Sequence, residues 1–422
     1  MRTVAILLVA ALLLFAGCEP MVEGGDPQKS IDQMIDEGKT YLALGDGDRA
    51  REIFLEALVF EPDNTDAHFG VALADVLRFV KLVESLDEYI SEYLDQGEGS
   101  KGDGDREGIG DFIHGYAKHL IFDTAEELTW HTWRIYQIVD ERDFSFHLSS
   151  YPVTYRGELL LMCRGEWDGA ELRLVWGIGH LLMGVVHTLL GTDLNFDIGP
   201  ILALPIDFES LLNDPTSVDW AELFPLLVDA LLEILTDPDY PNFLLLTPDG
   251  RELYSTAGIE LGLFCSSAVE ATHFVMGETD PQNDDVIGYV DVNGNGRYDE
   301  GDSVRLPEPI GVLDEDGFET LWALFYLMNR LSSAFFDTTY MDPHPTEPDP
   351  FYLSDLNPLI AALLDENAFG LPPIPIEIGP YFQNPAPEEI KQFLIDFLMC
   401  LDKEDPTEMI NCLLELLTDY MG

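Results

Sequence analysis

Between Ile31 and Asn64, small and aromatic residues fall where two packed helices would touch. Met34, Gly38 and Tyr41 repeat at helical spacing, and Ala50, Phe54 and Ala57 repeat it again. Gly38, Ala50 and Ala57 let two backbones approach closely, while Tyr41 and Phe54 fill the seam. Gly45-Asp46-Gly47-Asp48 turns the chain and caps the second helix. Pro62 stops that helix. A helical hairpin over 31–64 follows from these residues alone.

Laid on Ile31 to Asn64, the pattern resembles a tetratricopeptide repeat, a helix–turn–helix unit of about 34 residues. Met34 departs from the Trp that the family favours, and Glu37 from its Leu. Asp66 to Ala74 resembles the first helix of a second repeat, with Ala72 at the small position, and the pattern fades after Asp75. A single repeat cannot bury both faces, and stable arrays need about three or more. The unit must therefore stack on downstream helices or on another protein. The resemblance implies an inner groove lined by Asp32, Ile35, Lys39 and Leu42, which either binds a partner peptide or packs on the next helix.

Charge narrows the partners. The 422 residues include 21 Lys+Arg and 79 Asp+Glu, a net charge of −58, with 46% hydrophobic residues. That apolar content exceeds what disordered acidic chains carry. A polyanion repels phosphate, which excludes nucleic acid, and it does not adhere electrostatically to anionic lipid. The acidity, with only seven Lys, also fits life in salty water.

The first residues read as an address. Met1-Arg2-Thr3 precedes an apolar run from Val4 to Ala16, the layout of a secretory signal. Leu14-Phe15-Ala16-Gly17-Cys18 resembles the lipobox of bacterial lipoproteins, with Phe15 where Leu is usual. The resemblance implies a signal peptide at 1–17, a lipidated Cys18 at the mature N-terminus and a tether over 18–30. It implies an exported, membrane-anchored protein at the periplasmic face of the outer membrane or the cell surface. Each buried acyl CH₂ is worth about 0.8 kcal/mol, so several chains on one Cys anchor firmly. Cys163, Cys265, Cys400 and Cys412 remain, and an oxidising compartment permits disulfides. Cys400 and Cys412 flank a polar turn between helical runs, which suggests that they clamp a hairpin. Cys163 with Cys265 would then pair by elimination. The alternative is buried thiols behaving as small hydrophobes.

The fold expected is mainly α. A tetratricopeptide-like unit at 31–96 is followed by a Gly-rich linker at 97–110 and a larger helical domain at 111–422, with a small inserted β element. Residues 144–163 read as extended, and Phe243 to Tyr254 as a hairpin turning at Pro248-Asp249-Gly250. Leu174 to Gly191 is free of charged residues and reads as a core helix rather than a membrane span. His180 and His187 share a helical face, more simply as core histidines than as metal ligands. Trp130, Trp133 and Tyr136 read as helix packing.

Asp291-Val-Asn293-Gly-Asn295-Gly-Arg297-Tyr-Asp299-Glu-Gly-Asp302 fits a twelve-position calcium loop, inside a hairpin at 284–306. Alternate oxygens converge as such a loop curls, and Gly296 permits the turn. Arg297 would offer its backbone carbonyl, and Asp302 replaces the usual Glu. Calcium would act there as a structural staple, since extracellular modules work at about 10⁻⁴–10⁻³ M.

Catalytic motifs are missing: no Gly-x-Ser-x-Gly, no His-Glu-x-x-His. The leading expectation is a lipid-anchored, non-enzymatic envelope protein that docks an envelope protein or peptide through its repeat unit. One alternative is a carrier of an apolar ligand or lipid, with a cavity lined by 174–191 and Gly258 to Met276. Another is a calcium-stabilised secreted hydrolase.

Overall fold

The computed structural model describes chiefly residues 30–96, 109–140, 143–197, 199–202, 220–273 and 378–401, with short pieces after residue 273. The fold is mainly α with small β elements, as expected.

The described residues start with the helical hairpin, α1 (Ile31–Ala43) and α2 (Gly47–Phe60). Ser30 caps α1 in a reciprocal box: its hydroxyl accepts from the Gln33 backbone N–H, and the Ser30 N–H donates to the Gln33 side-chain Oε1 at 2.8 Å. Gly45 takes φ +72° in the turn, a conformation that side chains resist. Asp46 caps α2 through the Arg49 N–H at 3.1 Å. Asn64 then caps α3 (Thr65–Gln96) through the Ala67 N–H at 2.9 Å.

Phe54 is the centre of this layer. It is fully buried, and its ring tip lies against Gly38 of α1 and Gly70 of α3, so close that a Cβ at either would fall within 2.8 Å of it. The second repeat does not form. α3 is one unbroken helix of 32 residues, because no Gly, Pro or Asx turn interrupts it after Asp75.

α4 (Ile109–Tyr116) leads through one wider turn, Ala117–Ile121, into α5 (Phe122–Ile138). An antiparallel hairpin follows, β1 (Phe146–Tyr155) and β2 (Glu158–Trp167), where the sequence predicts extended chain. Arg156 and Gly157, at φ 52° and 75°, make its tight turn. α6 (Gly169–Gly191) is long and apolar enough to cross a membrane by length and composition, yet half of its apolar window is buried. Its Leu172, Val175, Ile178 and Leu182 join α1–α3, α5 and the hairpin in one continuous core.

The compact units do not follow the expected division into 31–96 and 111–422. One is drawn from Met1–Ser85, Leu120–Val186 and Thr256–Phe382; the other from Leu86–His119, His187–Ser255 and Gln383–Gly422. The reason is the one that limits any single repeat: two helices cannot bury both their faces, so this pair recruits β1, α5 and α6.

In the second unit, α8 (Trp220–Thr236) packs on α11 (Pro387–Leu401) through Val228, Leu235 and Leu398; the short α7 (Gly199–Leu202) precedes them. The predicted hairpin at Phe243 to Tyr254 is absent. Only Leu246 bridges, to Thr192, and Asp249 accepts from the Glu252 and Leu253 N–H groups to begin α9 (Gly250–His273). Pro-Asp-Gly serves here as a helix start. The remaining described elements are the strand pairs β3 (Gly288–Val290) with β4 (Ser303–Arg305) and β5 (Phe351–Tyr352) with β6 (Pro375–Ile376), and the short α10 (Ile378–Gln383).

Cys400 and Cys412 form the expected disulfide, with Cα atoms 5.4 Å apart. Cys163 and Cys265 do not pair. Each is a buried thiol outside any disulfide, its pKa pushed by burial up to about 12, and each packs as a small hydrophobe.

Candidate functional site

The repeat signature lies where close helix packing needs it. Met34, Gly38, Ala50, Phe54 and Ala57 are buried, Tyr41 is half-buried, and Pro62 is exposed at the end of α2.

The inner groove is not open to a partner. β1 lies on α1, and Ile35 and Leu42 are buried in the same core as Phe146, Leu148, Tyr151 and Val153. Lys39 donates to Asp66 at 3.0 Å and sits 4.2 Å above the Phe146 ring. The Ser150 hydroxyl reaches the Ala43 carbonyl at 3.4 Å. Of the four predicted groove residues only Asp32 is exposed. The physical cause is apolar: Ile35 and Leu42 need cover, and the chain's own strand supplies it. Cys18 and the calcium-loop residues Asp291, Asn293, Asn295, Arg297, Asp299 and Asp302 lie outside the described residues. The strands that flank the loop are present, with Val290 opposite Ser303.

The outer side of the same helices carries a polar cluster that sequence reasoning missed. Asp75 of α3 is fully buried. Its Oδ1 accepts from Arg51 at 3.0 Å and Arg78 at 2.7 Å, while Oδ2 has no hydrogen-bond partner among the described residues. Burial pushes this carboxyl up to about 6, against the pull of both guanidiniums. Arg51 also pairs with Glu127 of α5, and Arg134 of α5 pairs with Asp63.

Two turns earlier on α3, His68 meets His131 of α5, and their Nδ1 atoms come to 2.8 Å. The Pro62 carbonyl can only accept, so His68 Nε2, 2.9 Å from it, carries a proton. His68 Nδ1 is then an acceptor, and His131 Nδ1–H donates to it. Burial first, then His68 and Arg51, holds His131 down to about 3. Both rings stay neutral near pH 7.

Beside this cluster the surface is aromatic. Trp130 is 50% exposed and Trp133 47%; the predicted packing holds for Tyr136, which meets Trp176, and in part for Trp130, which stands edge-on to His68 and His131 at 5.6 and 4.8 Å. Val59 and Phe60, at the end of α2, are 77% and 62% exposed. An open cleft of about 610 Å³ lies next to them, lined by Phe60 to Thr65 and by Ile138 and Val139.

A second buried polar pair joins α6 to α9. His180 Nδ1 meets the Glu260 carboxylate, and its buried Nε2 has no partner among the described residues. Trp176 stands edge-on to the ring at 4.4 Å. This is the core histidine expected. Among the described residues no three His, Cys, Asp or Glu side chains gather as a metal site. The seam between α6 and α9, where a carrier cavity was expected, is closely packed. A Cβ on Gly184 would fall 2.7 Å from Leu261, and one on Gly177 3.0 Å from Ser267.

In comparisons with known proteins, no family model, no curated protein and no solved structure matches the chain. The tetratricopeptide and lipoprotein resemblances stand on the residues that carry them, Ile31 to Asn64 and Leu14 to Cys18.

Proposed function

We propose that the protein is an exported, lipid-anchored docking protein of the cell envelope, without catalytic activity of its own. One observation carries the reading: Val59, Phe60, Trp130 and Trp133 expose large apolar surface beside an open cleft, on helices held rigidly by the core. Aromatic side chains left in water next to a cleft mark interaction surfaces. The docking surface is therefore the outer side of α2 and α5, not the inner groove that β1 fills. Cys18 would supply the anchor, which raises the local concentration of a membrane-bound partner.

Calcium would act as a staple in the loop at 291–302. The antiparallel pairing of β3 with β4 brings the two ends of that loop together, as a twelve-residue calcium loop requires. The carrier reading loses its motive, because the apolar helices that would line a cavity fill one another's grooves.

The test is affinity capture of the full-length lipidated protein from gently solubilised native envelopes, with mass spectrometry of bound protein and lipid. A stoichiometric protein partner that is lost from a Phe60→Asp/Trp133→Asp variant is the expected outcome. A defined lipid without a protein would overturn docking and restore the carrier.

A further inference from the structure

The docking face has a direction, and it points to one class of partner. Two ion pairs, Arg51 with Glu127 and Asp63 with Arg134, set α2 and α5 side by side in the same sense. His68 against His131, and Asp75 against Arg51, show α3 running antiparallel beneath them. Both outer helices present most of their exposed acids before their exposed apolar side chains. On α2 the exposed residues are Asp48, Arg49, Glu52 and Glu56, then Val59 and Phe60. On α5 they are Asp123, Glu126 and Glu127, then Trp130 and Trp133, with Gln137 beyond; Asp123, Glu126, Trp130 and Trp133 are spaced three and four apart as one stripe. The surface is thus acidic with aromatic side chains gathered toward one end over roughly 20 Å of helix, where Glu61 and Asp63 also line the cleft.

We infer that this face binds a cationic amphipathic segment of a partner protein, with its Lys/Arg-rich end over Glu52, Glu56, Asp123 and Glu126 and its apolar end at Phe60, Trp133 and the cleft. This rests on the docking reading and names its partner class. Charge complementarity selects the occupant. An anionic lipid surface or an acidic peptide would meet four carboxylates against one exposed cation, Arg49, which lies 5.7 Å from the Tyr41 ring. An uncharged apolar segment would leave the acidic half uncovered. The aromatic half adds cation–π capacity for an Arg at the junction. The two halves do different work: charge speeds encounter and sets orientation, and the aromatic anchors slow dissociation.

The experiment uses the soluble chain from residue 19 and a fluorescent synthetic peptide of fifteen residues with leucines at one end and lysines at the other. A composition-matched peptide with the residues shuffled is the comparison, because a chain of net charge −58 attracts any cation. Expected is binding at least tenfold tighter than the shuffled peptide. Trp133→Ala should weaken it about tenfold at any salt, and Glu56→Lys/Glu126→Lys about tenfold at low salt only. These side chains are exposed, and an unchanged melting curve verifies that the variants fold. Equal affinity for the ordered and shuffled peptides, or indifference to Trp133→Ala, overturns the inference. Envelope capture separates the two failures. A partner that stays bound to the Phe60→Asp/Trp133→Asp variant refutes this face and leaves docking intact; no protein partner at all refutes docking.

Discussion

Phe54 is held by two absent side chains, and Gly70→Ala tests that directly. A Cβ at Gly70 would lie 2.4 Å from the ring Cζ and 2.5 Å from each Cε. Ordinary carbon contacts sit at about 3.5–4.0 Å, so ring or helix must yield by roughly 1 Å. The ring has little room to move, because Gly38 on α1 confines the same tip, with a Cβ there at 2.6 Å. Overpacking of this kind costs about 1–3 kcal/mol. Against it, Ala in a helix gains about 1 kcal/mol over Gly. The net expectation is a loss of up to about 2 kcal/mol, read as a fall in Tm of up to roughly 8 °C for a unit of this size. Gly115→Ala is the control: nothing lies within 4 Å of its Cβ, so only the propensity gain remains and Tm should rise. Phe54→Ala alone should cost about 3–5 kcal/mol. Combined with Gly70→Ala it should cost at least about 1 kcal/mol less than the sum, since the methyl enters space the ring has left. A higher Tm for Gly70→Ala, or an additive double variant, would refute the close seating of Phe54 between α1 and α3.

The His68–His131 pair gives a pH dependence with a definite sign. His131 titrates near 3 when folded and near its ordinary value when unfolded, so the unfolded chain binds more protons between those values. Stability should therefore fall as pH drops below about 6.5, and His131→Gln should flatten that limb in denaturant titrations. Asp75, raised to about 6, acts oppositely: its contribution falls as pH rises from about 4 to 6, and Asp75→Asn should leave the acid limb steeper. Removing the Cys400–Cys412 bridge with Ser at both positions should cost about 2–3 kcal/mol, seen as faster amide exchange at the end of α11. Thiol labelling of the chain from residue 19 should find neither Cys163 nor Cys265 when folded, and both when unfolded. Millimolar calcium should raise the melting temperature, and Asp291→Ala should abolish the rise; no response to calcium or chelator removes the staple.

Residues whose role is set by local geometry were legible. The small positions of α1 and α2, the cap at Asp46, the stop at Pro62, the extended stretch at 144–163 and the Cys400–Cys412 clamp all follow from neighbours in sequence. Longer-range pairings were not. Nothing in Phe146 to Tyr155 says which helix it will cover, so the sequence leaves Ile35 and Leu42 divided between a partner peptide and the next helix, and neither names β1. Pro248-Asp249-Gly250 suits a hairpin turn and a helix start equally, and the packing of α9 decides. Trp130 and Trp133 have the same spacing whether they face core or water. The signal that separates the two was present: Asp123 and Glu126 lie on the same stripe, and a stripe that begins with two carboxylates does not face a core.

The strand laid across α1 also governs portability. In an array, a helical pair of this kind is covered by copies of itself and moves with them. The helical pair here is soldered to its host: cutting out 31–96 would strip Phe146, Leu148 and Tyr151 of their cover and leave the hairpin without a floor. Truncation mapping would therefore score every partner as dependent on the repeat, whichever surface that partner touches. Only surface substitutions can locate its contacts.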